Sequence, residues 1–167
     1  FIHIMNMRTN NIFQENWCSA FQKKNSVFVS SGKVAIKEAL RLLDSNRVVI
    51  PTYTCERILE AVVESNCVPI IIDCDDNLQI DIDSINEEVK VDTVIVPHMF
   101  GIQCDVNKIK RMGYNVIEDC SQCMGLDDLG KYSDIVIASF GPTKWLPVGT
   151  DKKLGGGVIS YDFGKLN

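Results

Sequence analysis

Seven short runs of almost unbroken apolar residues recur along the chain, and they constrain its fold more than any other feature. They are SVFVS (26–30), RVVIP (47–51), VPIIID (68–73), DTVIVP (92–97), YNVIED (114–119), SDIVIASF (133–140) and GGVISY (156–161). A strand with one wet face alternates apolar and polar residues. These runs do not alternate, so both of their faces are covered, as in a parallel sheet packed between helices.

Helical patterns fill several of the gaps. In KVAIKEALRLLDS, Ile36, Ala39, Leu40 and Leu43 fall at i, i+3, i+4 and i+7 and form one apolar stripe. CERILEAVVESN sets Ile58, Leu59, Val62 and Val63 on one face and leaves Glu56, Arg57, Glu60 and Glu64 to water. DSINEEVK is a weaker helix with Asp83 or Ser84 as its cap, and DVNKIKRMG runs from an Asp105 cap to Gly113. Strand and helix in alternation predict an α/β fold in three layers, with a mostly parallel central sheet of about seven strands. Residues 1–26 stand apart. They are polar and Asn-rich, with scattered Phe1, Phe13, Trp17 and Phe21, and are read as an arm or leading helix before a sheet domain at 27–167.

Composition narrows the partners. The chain has 167 residues, 46% hydrophobic and 23% charged, with a net charge of −5 and the two signs interspersed. Nothing in it forms a basic track for a nucleic-acid backbone, and no apolar run is long enough to span a bilayer, so neither nucleic acid nor membrane is an expected partner. The opening FIHIMNM lacks the charged start and cleavage site of a secretory leader, and seven cysteines are an odd number for a disulfide framework. Reduced thiols and a cytoplasmic location are the expectation. Cys120 and Cys123 form a C-x-x-C pair, but no second pair and no spaced histidine pair completes a tetrahedral set, since the histidines are His3 and His98. No metal is expected, and these cysteines are read as packing thiols.

In a doubly wound sheet, ligands bind beyond the carboxyl ends of the strands. The first strand leads through SSGKVA (30–35) directly into a helix, where Gly32 permits close approach and the helix start offers N–H groups to an anion. The fifth ends at Asp119, in EDCSQCMG, and the sixth at SFGPTK, which carries Ser139 and Lys144. An anion seat, a carboxylate and a lysine together suit pyridoxal phosphate, which needs a phosphate cradle, an acid for its ring nitrogen and an amine for an imine.

These segments resemble the DegT/DnrJ/StrS family of sugar aminotransferases, which have the type I fold of pyridoxal-phosphate enzymes. SSGKVAIKEAL is similar to the family's Ser-Gly-Thr-Ala-Ala-Leu segment and VVIPTYTC to its Pro-x-x-Thr-aromatic segment. VPHMFGIQCDVNKI is similar to His-Leu-Tyr-Gly, VIEDCSQCMG to Glu-Asp-x-x-Gln-x-x-Gly, and SDIVIASFGPTKWL to Ser-Phe-x-Pro-Thr-Lys. The resemblance implies that Lys144 binds the cofactor covalently and moves the substrate proton, and that Asp119 pairs with the pyridine nitrogen. It implies that Gln122 meets the phenolic oxygen, and that Ser139 with the backbone of Gly32 and Lys33 holds the phosphate. Cys55 stands where many members stack an aromatic ring, with Tyr53 as the alternative, and Lys33 stands where threonine is common.

What the resemblance implies for function is an aminotransferase acting on a nucleotide-linked keto sugar with glutamate as amino donor. Members of the family are longer than this chain, so the expected small C-terminal domain falls outside it. The alternative expectation is a truncated or split member that keeps the cofactor site and needs a partner chain for turnover. In either case the expected assembly is a homodimer or a pairing with a complementing chain.

Overall fold

A computed structural model describes residues 11–85, 90–144, 146–147 and 155–163. The seven apolar runs form seven strands: β1 (Asn25–Val29), β2 (Arg47–Pro51), β3 (Val68–Ile72), β4 (Thr93–Pro97), β5 (Asn115–Asp119), β6 (Ile135–Ser139) and β7 (Gly157–Tyr161). Among the described residues four α-helices accompany them: α1 (Asn11–Ala20), α2 (Gly32–Leu42), α3 (Glu56–Glu64) and α4 (Val106–Arg111).

One sheet in the order β1-β7-β6-β5-β4-β2-β3 results. The pairs β2–β3, β2–β4, β4–β5 and β5–β6 are parallel. β7 runs antiparallel to both of its neighbours, β6 and β1. In register, Pro97 lies beside Asp119 and Ser139 beside Gly157, so several strand ends share one edge of the sheet.

The continuous apolar runs are explained by cover on both faces. On one face, Ala35, Ile36, Ala39 and Leu40 of α2 and Ile58, Ala61 and Val62 of α3 pack on Val48, Ile50, Ile95, Ile117, Ile137 and Ile159. On the other, Val49, Val94, Val96 and Val116 meet Ile80, Ile82, Val106 and Ile109. Phe21, Leu129 and Phe140 extend that second layer over Val136 and Val158. Burying side chains of this size contributes about 1.5–3 kcal/mol each. The three-layer α/β arrangement is the one the sequence predicts.

The leading helix packs by aromatic contact, with the Trp17 ring 5.3 Å from Phe21 and 5.2 Å from Phe140. Its exit is pinned by Lys23, a buried cation whose Nζ donates to Ser133 O at 2.6 Å and pairs with Asp162 at 3.3 Å. Asp105 caps α4 as expected, accepting from Lys108 N at 2.9 Å. The weaker helix read over DSINEEVK falls partly outside the described residues, and its start differs from the reading. A 3₁₀ turn, Ile82–Ser84, is capped by Asp81 rather than by Asp83 or Ser84, and residues 86–89 lie outside the described residues.

Candidate functional site

The site begins at the joint between β1 and α2. Ser31 is the N-cap, and its Oγ accepts from Val34 N at 3.2 Å. Ala35 N reaches Ser31 O, so the N–H groups of Gly32 and Lys33 are left without intrahelical acceptors at the positive end of the helix. That end is pressed onto the sheet. A Cβ on Gly32 would lie 2.7 Å from Ser139 Cβ and 3.0 Å from its Oγ, and one on Gly157 would lie 2.7 Å from Ser31 O. Only glycine at both places lets two backbone N–H groups and the Ser139 hydroxyl converge.

β5 delivers the acid. Adjacent residues on a strand point to opposite faces, so Glu118 and Asp119 enter different layers. Asp119 is buried beneath α2 and α3 and accepts from Ser121 N at 2.9 Å. Burial pushes its carboxyl above the ordinary carboxylate range, while the Ser121 bonds and the Lys144 charge pull it back. Ser121 also ties the acid to the next strand end, because its Oγ accepts from Ser139 N at 2.9 Å. Sequence reasoning passed over Ser121. Its spacing, two residues past a strand-end aspartate, is the signal for such a turn.

A cavity of about 310 Å³ opens here, with Gly32, Lys33, Cys55, Asp119, Ser139 and Lys144 on its wall and Ile36, Ile58 and Ile137 as apolar sides. A narrower crevice shares Cys55, Asp119 and Lys144 and adds Gln122 and His98. Gly32, Lys33, Cys55, Asp119, Gln122, Ser139 and Lys144 therefore all lie on one or both of two adjoining hollows. Lys144 comes from a turn in which its N–H donates to Gly141 O at 3.0 Å.

Two placements refine the sequence reading. The Lys33 ammonium turns away from the anion seat and pairs with Glu64 at 2.8 Å and Glu60 at 3.3 Å, so only its backbone faces the joint. Tyr53 is exposed, its ring centroid 6.0 Å from that of Phe100, and it lines neither hollow. Cys55, the N-cap residue of α3, lines both.

Behind the acid lies a network the sequence did not disclose. Buried His98 bonds through Nε2 to Glu118 Oε1 at 2.8 Å and accepts at Nδ1 from Cys104 N at 3.1 Å. Glu118 Oε2 accepts from Gly130 N at 2.9 Å and Ser133 Oγ at 2.8 Å. Potential ligand atoms of His98, Cys120 and Cys123 lie within 4.8 Å of one another. Both imidazole nitrogens are already engaged, however, and burial holds the Cys120 thiol well above its usual range, so these groups present thiols and an occupied imidazole rather than an open ligand set.

Comparison with known proteins gives the geometry a context. A family model for the DegT/DnrJ/EryC1/StrS aminotransferase family matches residues 3–162. The chain is 33% identical over 142 residues to the 3-oxo-glucose-6-phosphate:glutamate aminotransferase of Bacillus subtilis (strain 168), covering 79% of this chain and 32% of that protein. It is 31% identical over 152 residues to a UDP-N-acetyl-3-dehydro-alpha-D-glucosamine 3-aminotransferase of Acidithiobacillus ferrooxidans, covering 83% and 40%. The crystal structure of NtdA from Bacillus subtilis with bound cofactor PMP superposes with a TM-score of 0.82 at 31% identity, over 91% of this chain and 36% of that one. The chain thus spans about a third of the length of such relatives, the part that holds the sheet and its strand-end hollows. Matched across nearly all of its own residues, the chain belongs to the DegT/DnrJ/EryC1/StrS aminotransferase family.

Proposed function

We propose that this chain carries the pyridoxal-phosphate site of an aminotransferase acting on a nucleotide-linked keto sugar, with glutamate as the amino donor. One observation carries the reading: an amine, a buried acid and a helix-start anion seat line a single cavity. The fit to the cofactor rests on that donor set. The N–H groups of Gly32 and Lys33 and the Ser139 hydroxyl suit a phosphate, the isoleucine walls suit a flat ring, and a volume of about 310 Å³ suits a small ligand. Bound there, pyridoxal phosphate supplies a carbonyl that joins amines and a ring that withdraws electrons from the reacting carbon.

The residues then divide the work. Lys144 Nζ would hold the cofactor and, as a free amine, would take the proton from the donor's α-carbon and give it back to the cofactor's carbonyl carbon. Asp119, desolvated and with its carboxyl shifted upward, is matched to share a proton with a ring nitrogen and keep it there. Gln122 offers an amide donor to the phenolic oxygen. Cys55 gives the ring a small polarisable neighbour in place of an aromatic one.

The substrate reading draws on the relatives. Both curated relatives are named for transfer to an oxidised sugar, one of them UDP-linked, and one name specifies glutamate. We place the leading arm at 1–26 and the cofactor-binding large domain at 27–167. A second chain, as a homodimer or a complementing polypeptide, is favoured by the exposed Tyr53, Phe100 and Ile102 beyond the site. Among the described residues no helix is long and apolar enough to cross a membrane. A cytoplasmic site of action fits its free cysteines.

The test is spectroscopic. Wild type mixed with pyridoxal phosphate develops a visible band that Lys144→Ala lacks, and glutamate bleaches that band. A band of equal strength in both proteins refutes the assignment of Lys144, and a band indifferent to every amine donor refutes transamination.

A further inference from the structure

We infer that His98 is a positioning residue: it closes the 98–104 loop so that the Phe100 amide holds Gln122 with its NH₂ group turned toward the cavity. The inference rests on the cofactor reading above, which it deepens. Its starting point is the imidazole. Because Nδ1 accepts from Cys104 N, the proton sits on Nε2 and is donated to Glu118, whose other oxygen is fixed by Gly130 N and Ser133 Oγ. The carboxylate is thus a buried anchor, and the ring bolts both ends of a seven-residue loop to it.

Within that loop the backbone is forced. Phe100 has φ 57° and ψ 21°, a left-handed conformation that a bulky side chain rarely adopts, and Gly101 follows at φ 77°. Phe100 is also largely exposed, so burial of its own side chain does not hold it there. What the turn achieves is to aim Phe100 N–H at Gln122 Oε1, 3.4 Å away. Only the oxygen of an amide accepts such a bond, so the Gln122 NH₂ group is left for the crevice it shares with Asp119 and Lys144. Without the Nδ1 bond to Cys104 the loop loses the bond that joins its two ends, leaving the weaker ties of Met99 and Gln103, and the Gln122 amide turns over more readily.

Two substitutions separate positioning from simple stability. His98→Gln places a donor near the Nε2 position and keeps Glu118 satisfied, but loses the acceptor for Cys104. His98→Asn does the reverse. In the cofactor-free chain, amide exchange at Cys104 and Phe100 is expected to quicken about tenfold in His98→Gln and to stay near wild type in His98→Asn. The thermal midpoint should fall more in His98→Asn, which leaves a buried carboxylate short of a donor.

With pyridoxal phosphate added, the pH midpoint of the visible band is expected to rise by about one unit in His98→Gln, as in Gln122→Ala, with no further rise in the double variant. Unchanged exchange in His98→Gln, or additive midpoint shifts, overturns the inference. A wild type that forms no band sinks the cofactor reading instead, and the exchange pattern then decides the loop's role by itself.

Discussion

Replacing Gly32 by alanine tests the joint on which the anion seat depends. The new Cβ would stand 2.7 Å from Ser139 Cβ, against the ~3.5–4.0 Å that two carbons prefer. Both atoms are fixed directly to backbone, one to the first turn of α2 and one to the end of β6, so no rotamer change relieves the contact. The helix must lift by roughly 1 Å, which is overpacking of the kind that costs about 1–3 kcal/mol. Taking about 2 kcal/mol, and about 2–4 °C per kcal/mol for a chain of this size, the melting temperature should drop by roughly 4–8 °C. The partner substitution identifies the cause. Ser139→Gly removes the obstructing atom at a cost of about 0.5–1 kcal/mol for a strand glycine, so Gly32→Ala/Ser139→Gly should be more stable than Gly32→Ala alone. Ser139→Ala keeps the Cβ and should rescue nothing. Thermal and urea unfolding of the cofactor-free chain measure all four proteins. Wild-type stability in Gly32→Ala, or equal rescue by Ser139→Ala, would refute the close-packed joint and with it the reason for glycine at this helix start.

Asp119→Asn should stabilise the cofactor-free chain at neutral pH while weakening its hold on pyridoxal phosphate. Burial raises the folded carboxyl above its unfolded value, so wild type loses stability as pH climbs from ~3.9 through that raised value; the variant does not, and its advantage should vanish in acid when urea unfolding is followed across pH. Lys33→Met should bind pyridoxal phosphate within about threefold of wild type, because the ammonium is spent on Glu60 and Glu64 at the surface and only the backbone faces the seat. A tenfold loss in a cofactor titration would mean that the ammonium reaches the phosphate after all.

The strands were legible because each is apolar throughout, and the three-layer cover that produces such runs is a property of parallel α/β sheets. The direction of β7 was not legible, since an apolar run reads the same in an antiparallel pair and only its pairing with β6 and β1 reveals it. Side-chain capping was legible at Asp105, a single candidate before its helix, and elusive at Asp81, where aspartates and a serine cluster and the turn chooses among them. The α3 start at Cys55 makes no side-chain cap bond, so no residue type marked it. Asp119, Ser139 and Lys144 could be picked out because strand ends are where such a fold gathers chemistry. The fate of the Lys33 ammonium depends on α3 lying beside α2, and the role of His98 on two loops meeting under the sheet, contacts that no local pattern encodes.

The two carboxylates that end β5 show how one strand assigns opposite duties to neighbouring acids. Strand alternation sends Glu118 to one layer and Asp119 to the other, and each layer treats its charge differently. Glu118 has both oxygens engaged by His98, Gly130 and Ser133, donors from separate segments, so its carboxylate is satisfied locally by hydrogen bonds and serves to hold loops together. Asp119 is held by Ser121, two residues away, and burial dominates its titration while Lys144 acts on it across the cavity. A fully satisfied carboxylate has nothing left to give a ligand. One whose burial is only partly offset gains most from a cation brought into the cavity, and the same incomplete compensation that costs the folded chain stability is what makes Asp119, and not Glu118, the acid suited to a protonated ring nitrogen.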